Sequence, residues 1–318
     1  MCVAPRHMLM TTKLAAPLGG LLYSLLHLGG FEGDTSFYAS RSTGRVLEMG
    51  CGDGRIAAAL CLGASPLSAL QEQQAAEAGL DTPPTRGAAV SPPQSYSAIE
   101  ICEPLALKAR TRLADAPCEV DITVGDFLTP LPPERTACFD TVLVSANTLF
   151  TTARHDALLA NCAAALSPGG VLLLDVYNAL LWHGDEDEEE AQAQEEVDEQ
   201  GEVPTVLVRV QDEEGRDWTV YERDPAVDSS GQTIRCVYDF HEAATAALPE
   251  DGSRGDGGEA TVMTETLTHE YLLPEQLVRK LDACGFEIDE IFGSFDEKLT
   301  FDPDESEHVV VVARRRAD

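Results

Sequence analysis

The 318-residue sequence is short of positive charge and of aromatic side chains. It has 22 Lys and Arg against 55 Asp and Glu, a formal net charge of −33, and only four of its cations are lysines. Eleven acids stand in the run 185–202, yet removing their charge from −33 still leaves −22, so the acidity is general. Such a charge repels polyphosphates and anionic headgroups, and no Lys/Arg cluster offsets it. We therefore expect neither nucleic acid nor a membrane as partner.

The cysteine patterns of metal centres and disulfide frameworks are also missing. The nine cysteines are scattered, with no Cys-x-x-Cys pair. We therefore expect no metal site and a cytoplasmic chain. Residues 1–31 contain Arg6 and Lys13 but no acid, and their apolar stretch is too short to span a bilayer. We interpret 1–45 as a helical segment that caps the ligand site, with an organelle-targeting peptide as the alternative.

The order of the predicted elements indicates a doubly wound, mostly parallel α/β sheet. Predicted strands at 46–49, 96–101, 120–124, 139–144 and 171–176 alternate with predicted helices at 55–62, 104–113 and 155–166. This alternation places helices on both faces of a parallel sheet. Ser-Pro-Gly-Gly at 167–170 predicts a sharp turn before the fifth strand. The Pro-rich segment 65–97 interrupts the rhythm, and we interpret it as a surface insertion.

The pattern changes after the acidic run, which we interpret as a disordered loop over 183–202. Segments of alternating polarity follow at 205–210, 217–222, 233–240 and 261–271, separated by polar turns. They predict an antiparallel β insertion over 203–272. A helix at 274–283 and strands at 286–292 and 308–312 then complete the α/β domain, which comprises 46–182 and 273–318.

A glycine turn joins the first predicted strand to the first helix of this domain. Its spacing is Gly50-x-Gly52-x-Gly54, preceded by Glu48. Glycine lets a backbone approach a nucleotide closely, and the helix that follows offers free amides. A dinucleotide fingerprint would place its third glycine at position 55, where the chain has Arg55. The turn therefore predicts a nucleotide site and disfavours a nicotinamide cofactor.

Polar side chains follow the other predicted strands at their carboxyl ends. Glu100 can accept both hydroxyls of a ribose, Asp126 can accept an adenine amino group, and Phe127 can cover the ring. Asn147 follows the fourth strand. Open α/β sheets bind their ligands at the carboxyl ends of the strands. The acid Glu48 favours a nucleoside that carries positive groups.

With these residues the sequence resembles the class I S-adenosylmethionine-dependent methyltransferases of the small-molecule branch, over about 20–60, 97–178 and 262–315. The resemblance implies a Rossmann-like sheet of seven strands with an antiparallel last strand, S-adenosyl-L-methionine as cofactor and a small-molecule acceptor. The residues expected at the cofactor are Tyr38, Glu48, Gly50, Cys51, Gly52, Gly54, Arg55, Glu100, Ile101, Asp126, Phe127 and Asn147. Arg55 is expected either to pair with the cofactor's carboxylate or to lie exposed.

The acceptor is expected near Tyr177, Asn178 and His269, under the insertion 203–272. In-line methyl transfer mainly requires alignment and exclusion of water, and a base only for a protonated acceptor, so no catalytic residue is assigned. Two other functions stay open, a non-catalytic S-adenosylmethionine-binding or interaction protein with this fold and an NAD(P)-dependent oxidoreductase. The sequence predicts neither the acceptor's identity nor the oligomeric state.

Overall fold

The computed structural model describes residues 30–63, 91–183, 205–211, 216–242 and 262–317. The expected N-terminal segment up to residue 29, most of the surface insertion and the acidic run lie outside these ranges. The chain divides into two compact units, Met1–Leu181 with Glu270–Asp318, and Trp182–His269. None of the helices in the described ranges has the length and apolar character that a bilayer crossing requires.

The first unit is built on a seven-stranded sheet. Its helices and strands are α1 (Asp34–Arg41), β1 (Arg45–Met49), α2 (Arg55–Leu62), β2 (Ser95–Glu100), α3 (Glu103–Arg112), β3 (Glu119–Val124), β4 (Phe139–Val144), α4 (His155–Ala165), β5 (Leu166–Tyr177), α5 (Pro274–Ala283), β11 (Phe286–Phe292) and β12 (His308–Arg315). The strand order is β11-β12-β5-β4-β1-β2-β3. β12 runs antiparallel to β5 and β11, and the remaining neighbours pair in parallel. The predicted doubly wound, mostly parallel sheet with an antiparallel last strand is confirmed.

The centre of this sheet is formed by the apolar strands β1, β4 and β5. The side chains of Val142, Leu143 and Val144 in β4 are fully buried, as are those of Leu172–Leu174 in β5. A strand covered on both faces cannot alternate between apolar and polar side chains, which explains the nearly continuous apolar sequence. The interpretation of 139–144 as a strand buried on both faces is confirmed.

β5 starts five residues earlier than the sequence predicted. Leu166 already pairs with Phe139 of β4, and the next pair joins Val171 to Thr141, so residues 167–170 form an irregularity inside the strand pairing. The predicted turn therefore lies within the strand instead of before it. Glycine is still what allows the chain to turn here, since Gly169 has a left-handed φ of 78° that permits the local distortion.

The predicted surface insertion 65–97 also ends too late. β2 begins at Ser95, and Ser95, Tyr96 and Ser97 pair in register with residues 45–47 of β1. Tyr96 is fully buried. The overlap between this insertion and the predicted strand 96–101 is thus resolved in favour of the strand, which Ser95 also joins.

The second unit contains an antiparallel sheet, as the sequence predicted. Its strands are β6 (Thr205–Gln211), β7 (Asp217–Glu222), β8 (Ala226–Asp228), β9 (Thr233–Glu242) and β10 (Val262–Glu270). The order is β10-β9-β7-β6, and the short β8, which was not predicted, pairs antiparallel with the start of β9. The division between the units falls before Glu270, so residues 270–272 belong to the first unit and not to the insertion.

A buried ion pair joins the helix before the sheet to the helix that follows β1. The guanidinium of Arg55 donates two hydrogen bonds to the carboxylate of Asp34, at 3.0 and 2.6 Å. Both side chains are less than a tenth exposed. A Cβ at Gly30 would lie 2.0 Å from the guanidinium nitrogen Nη1, so only glycine leaves room for this pair. The ion pair fixes the start of α2 against α1.

We predict that Arg55→Met lowers the free energy of unfolding by about 3 kcal/mol, because it leaves the Asp34 carboxylate buried without its countercharge. Urea unfolding followed by circular dichroism measures this change. The matched control is Arg314→Met. Arg314 forms an ion pair with Asp289, but its side chain is 57% exposed. This substitution should cost less than about 1 kcal/mol. Equal losses in the two variants would show that the buried pair is not a stabilising constraint.

Candidate functional site

The glycine turn after β1 is packed so tightly that its key positions admit no side chain. Gly50 and Gly54 both have a left-handed φ of 83°. A Cβ on Gly54 would lie 3.0 Å from the Cβ of Ala109 in α3, and one on Gly50 would lie 3.0 Å from Cγ2 of Thr148. The turn therefore needs glycine for its conformation and for its close approach to neighbouring elements. Cys51, between the first two glycines, is buried.

Glu100 at the end of β2 binds the backbone of this turn. Its Oε2 accepts a hydrogen bond from the Gly52 amide at 2.9 Å, and its Oε1 accepts one from the Cys102 amide at 2.8 Å. Burial raises the pKa of Glu100, and these backbone amides act against that rise. Each carboxylate oxygen can accept a second hydrogen bond. Glu100 can thus hold the turn and still accept ribose hydroxyls.

Of the other residues predicted to contact an adenosine, Phe127 lies beside the same turn. Phe127 is half-buried, and its Cε1 is 3.7 Å from the position of a Cβ on Gly50. Asp126 Oδ1 accepts a hydrogen bond from the Leu128 amide at 2.9 Å, which fixes the carboxylate next to the aromatic ring. Ile101, which follows Glu100, is 43% exposed. The aromatic ring of Phe127 therefore borders the glycine turn, and the Asp126 carboxylate is held beside that ring.

Glu48 is the buried acid near the carboxyl end of β1. Its Oε1 accepts a hydrogen bond from Ser145 Oγ at 2.8 Å, and its Oε2 accepts one from the hydroxyl of Tyr96. Ser145 follows β4 and Tyr96 lies on β2, the two strands that flank β1. Burial raises the pKa of Glu48 to about 7, although both hydroxyls favour the charged form. The carboxylate thus connects three adjacent strands below the glycine turn.

A second buried acid, Asp175, lies on β5 on the other side of β4. Its Oδ1 accepts hydrogen bonds from the hydroxyl of Tyr38 and from the Ala146 amide, the latter at 2.8 Å. Its Oδ2 accepts one from the Asn147 amide at 3.3 Å. Burial raises the pKa of Asp175 to about 6, and the three donors oppose this rise. Tyr38, predicted at the cofactor, is thereby brought to the loop after β4.

Asn147 connects the ends of β4 and β5. It is fully buried with a left-handed φ of 59°, and its Oδ1 accepts a hydrogen bond from the Tyr177 amide at 2.7 Å. The ring of Tyr177 packs edge-on against Phe150, with centroids 4.9 Å apart. Asn147, predicted at the cofactor, and Tyr177, predicted at the acceptor, therefore lie together at the carboxyl ends of their strands.

Two of the predicted residues have partners that the sequence did not indicate. Asn178 Nδ2 donates to the carbonyls of Pro303 and Ser306, at 2.8 and 2.9 Å, and its Oδ1 accepts from the Leu180 amide. Both amide hydrogens are thus used to hold a loop, which leaves none for an acceptor. The alternative that Arg55 is exposed is wrong, because Asp34 binds it in the interior.

His269 belongs to the second unit. It is fully buried near the end of β10 and is the last residue of that unit. Among the described residues, no three His, Cys, Asp or Glu side chains gather in an arrangement that could hold a metal ion.

Sequence reasoning missed several polar residues that organise the site. These are Asp34, Asp53, Tyr96, Ser145 and Asp175, and Asp53 forms an ion pair with Arg112 of α3 at 3.0 Å. For Asp175 a signal was present, since it is the one acid within the apolar segment 171–176, and a buried acid requires donors. No comparable signal marks Tyr96 or Ser145, because hydroxyl side chains in strands are common.

A family model described as a methyltransferase domain matches residues 78–174. No curated protein matches the sequence. Many solved structures resemble the fold. An S-adenosylmethionine-dependent methyltransferase from Clostridium acetobutylicum has a TM-score of 0.60 at 10% identity, covering 93% of this chain and 97% of its own.

Two further structures resemble the chain over most of its length. The sugar N-methyltransferase KedS8 from Streptoalloteichus has a TM-score of 0.56 at 13% identity, covering 100% of this chain and 99% of its own. The CcbJ methyltransferase from Streptomyces caelestis has a TM-score of 0.53 at 20% identity, covering 90% of this chain and 89% of its own. At these identities the likeness shows the fold.

The raised pKa of Glu48 predicts a specific pH dependence of stability. Its pKa rises from 4.5 to about 7 on folding, so its contribution is fully present below pH 4.5 and is lost as the pH rises through 7. Glu48→Gln removes this loss. The free energy of unfolding of the variant, minus that of the unaltered chain, should therefore increase by on the order of 3 kcal/mol between pH 4.5 and pH 7.

Urea unfolding at a series of pH values measures this difference. Glu119→Gln is the control, since Glu119 is exposed on the edge strand β3 and meets solvent in both states. It should show no such change with pH. Parallel curves for Glu48→Gln and the unaltered chain would contradict a raised pKa for the buried Glu48 carboxyl group.

Proposed function

Because this chain has the domain and the fold of the class I S-adenosylmethionine-dependent methyltransferases, we propose that it transfers the methyl group of S-adenosyl-L-methionine to a small-molecule acceptor by in-line displacement. The observation that carries the proposal is the bond between the Glu100 carboxylate and the Gly52 amide. This hydrogen bond connects Glu100, the acid that can bind a ribose, to the glycine turn, which can approach a nucleoside. The same bond fixes the distance between the ends of β1 and β2.

The residues around the glycine turn fit this cofactor. Gly50 and Gly54 keep the backbone of the turn in its left-handed conformation and in close contact with Thr148 and Ala109. We assign the ribose to Glu100, which binds the turn, and the adenine to Asp126 and Phe127. Two buried acids, Glu48 and Glu100, make this end of the sheet favourable for a ligand with positive groups and unfavourable for a pyrophosphate.

The cofactor supplies a methyl group that its sulfonium has already activated. What remains for the protein is to hold the reactants in line and to exclude water, and correct positioning alone can supply several kcal/mol. The fully buried Leu149 and Phe150, in the loop after β4, give that loop an apolar lining. No catalytic base is assigned, since one is needed only when the acceptor is protonated at the working pH.

The acceptor we propose is a small polar molecule that carries an amine or a hydroxyl. One structure that resembles the chain over its whole length is a sugar N-methyltransferase, which supports this class. The second unit leaves the first directly after β5, at the carboxyl end of a parallel strand, where ligands of such sheets bind. We therefore propose that the insertion 203–272 sets the choice of acceptor.

We predict that Gly52→Val weakens S-adenosylmethionine binding by roughly 30-fold or more, because Gly52 has a left-handed φ of 55° that valine does not tolerate. Isothermal titration calorimetry measures the affinity. Gly63→Val is the matched control, since Gly63 has a φ of 60° at the far end of α2 with nothing within 4 Å of its Cβ position. It should bind the cofactor like the unaltered chain. Full affinity in Gly52→Val would overturn the cofactor assignment.

Incubation with labelled S-adenosylmethionine and fractionated metabolite extracts should transfer label to a small molecule. The Gly52→Val variant is the negative control. Binding without transfer to any fraction would favour the non-catalytic alternative. Once an acceptor is known, a chimera that carries a related enzyme's segment in place of 203–272 should keep its affinity for S-adenosylmethionine and change its acceptor. Unchanged acceptor preference in the chimera would refute the role of the insertion.

A further inference from the structure

The loop that follows β4 begins with two consecutive residues in a conformation that their side chains disfavour. Ala146 has a φ of 53° and Asn147 a φ of 59°. Asparagine tolerates the left-handed region better than most residues, whereas alanine does not. Strain of this kind persists only where the surroundings enforce it, and it concentrates at functional sites. The strained residue is therefore Ala146, and its surroundings must hold it in place.

The Asp175 carboxylate is the group that holds this turn. It accepts the amide hydrogens of both left-handed residues, Ala146 at 2.8 Å and Asn147 at 3.3 Å. Asp175 is fully buried, so these hydrogen bonds form away from competing water. A charged acceptor forms stronger bonds to amides than a neutral one. One side chain of β5 thus compensates for the strain at the end of β4.

The same carboxylate fixes a residue from a third element. The hydroxyl of Tyr38, from α1, donates to Asp175 Oδ1. Tyr38 is 1% exposed, and the shared acceptor brings it to the Ala146–Asn147 turn. In return, Asn147 Oδ1 accepts from the Tyr177 amide two residues beyond Asp175. The ends of β4 and β5 are therefore bound to each other in both directions.

We propose that Asp175 is a positioning residue for methyl transfer, which holds the strained Ala146–Asn147 turn and Tyr38 in the arrangement that the reacting groups require. The inference rests on the proposed function, because it assigns the carboxyl ends of β4 and β5 to the transfer site. Asp175 acts through the turn and through Tyr38. It is not assigned contact with the reacting atoms.

Asp175→Asn tests this role at nearly constant volume. An asparagine has one acceptor oxygen for the three donors that Asp175 accepts. Its amino group is itself a donor, so it would face one of these donors without forming a hydrogen bond. We expect hydrogen exchange at the Ala146 and Asn147 amides, followed by mass spectrometry or NMR, to be roughly tenfold faster. We expect kcat per cofactor-binding site, counted by calorimetric titration, to fall by roughly 10- to 100-fold, as misplacement of reacting groups does.

A second substitution distinguishes positioning from general stability. Glycine adopts the left-handed conformation without strain, whereas alanine pays about 1 kcal/mol or more, which is about fivefold in population. Ala146→Gly added to Asp175→Asn should therefore raise kcat by roughly fivefold over Asp175→Asn alone. Asp140→Asn is the matched control, because Asp140 binds Arg45 at the opposite end of β4. It should leave kcat per site and the exchange of the turn unchanged.

The possible results either support the positioning role of Asp175 or overturn it. Faster exchange, lower kcat per site and rescue by Ala146→Gly support the proposal. An unchanged kcat per site, or a loss that Ala146→Gly does not relieve, would overturn it, whatever the change in melting temperature. Absence of S-adenosylmethionine binding in the unaltered chain would instead refute the proposed function, and the exchange rates would still show whether Asp175 holds the turn.

Discussion

The site depends on two buried carboxylates that hold the loop after β4 from its two sides. β4 lies between β1 and β5, and each neighbour contributes one acid, Glu48 and Asp175. Glu48 accepts the hydroxyl of Ser145, and Asp175 accepts the next two amides of the chain, Ala146 and Asn147. Three consecutive residues are therefore fixed by groups on adjacent strands. A loop held in this way is ordered before any ligand binds, which is what positioning catalysis requires.

Burying the two carboxyl groups costs free energy, because each charged form loses its contact with water. Burial raises the pKa of Glu48 to about 7 and that of Asp175 to about 6, so the charged forms are disfavoured. The donors around each acid lower this cost without removing it. A hydrophobic pair at these two positions would pack at less expense, but it could not accept hydrogen bonds from the loop. The two acids thus favour order in the loop over stability of the sheet.

The framework of the fold could be predicted from the sequence because its signals are local. Alternating strand and helix patterns indicated the sheet, and the spacing of Gly50, Gly52 and Gly54 indicated the turn. What the sequence could not show were pairings between distant residues. Asp34 with Arg55, Tyr96 with Glu48, and Tyr38 with Asp175 join positions 21, 48 and 137 residues apart. Each of these contacts depends on how separate helices and strands pack together, which no single segment encodes. For the same reason Arg55 could be interpreted as exposed although it is buried.

The acids at this end of the sheet also explain why the turn suits one class of nucleotide. A dinucleotide brings a pyrophosphate to the start of the helix after the turn, where it needs free amides and no competing negative charge. Here Glu100 occupies the Gly52 amide, and Glu48 is buried two residues before Gly50. The one cation of the turn, Arg55, is bound by Asp34 in the interior. A nucleoside with a positive sulfonium and an amino group meets an acidic site, whereas a pyrophosphate is repelled. Under the proposed function, discrimination between the two cofactors is electrostatic before it is a matter of shape.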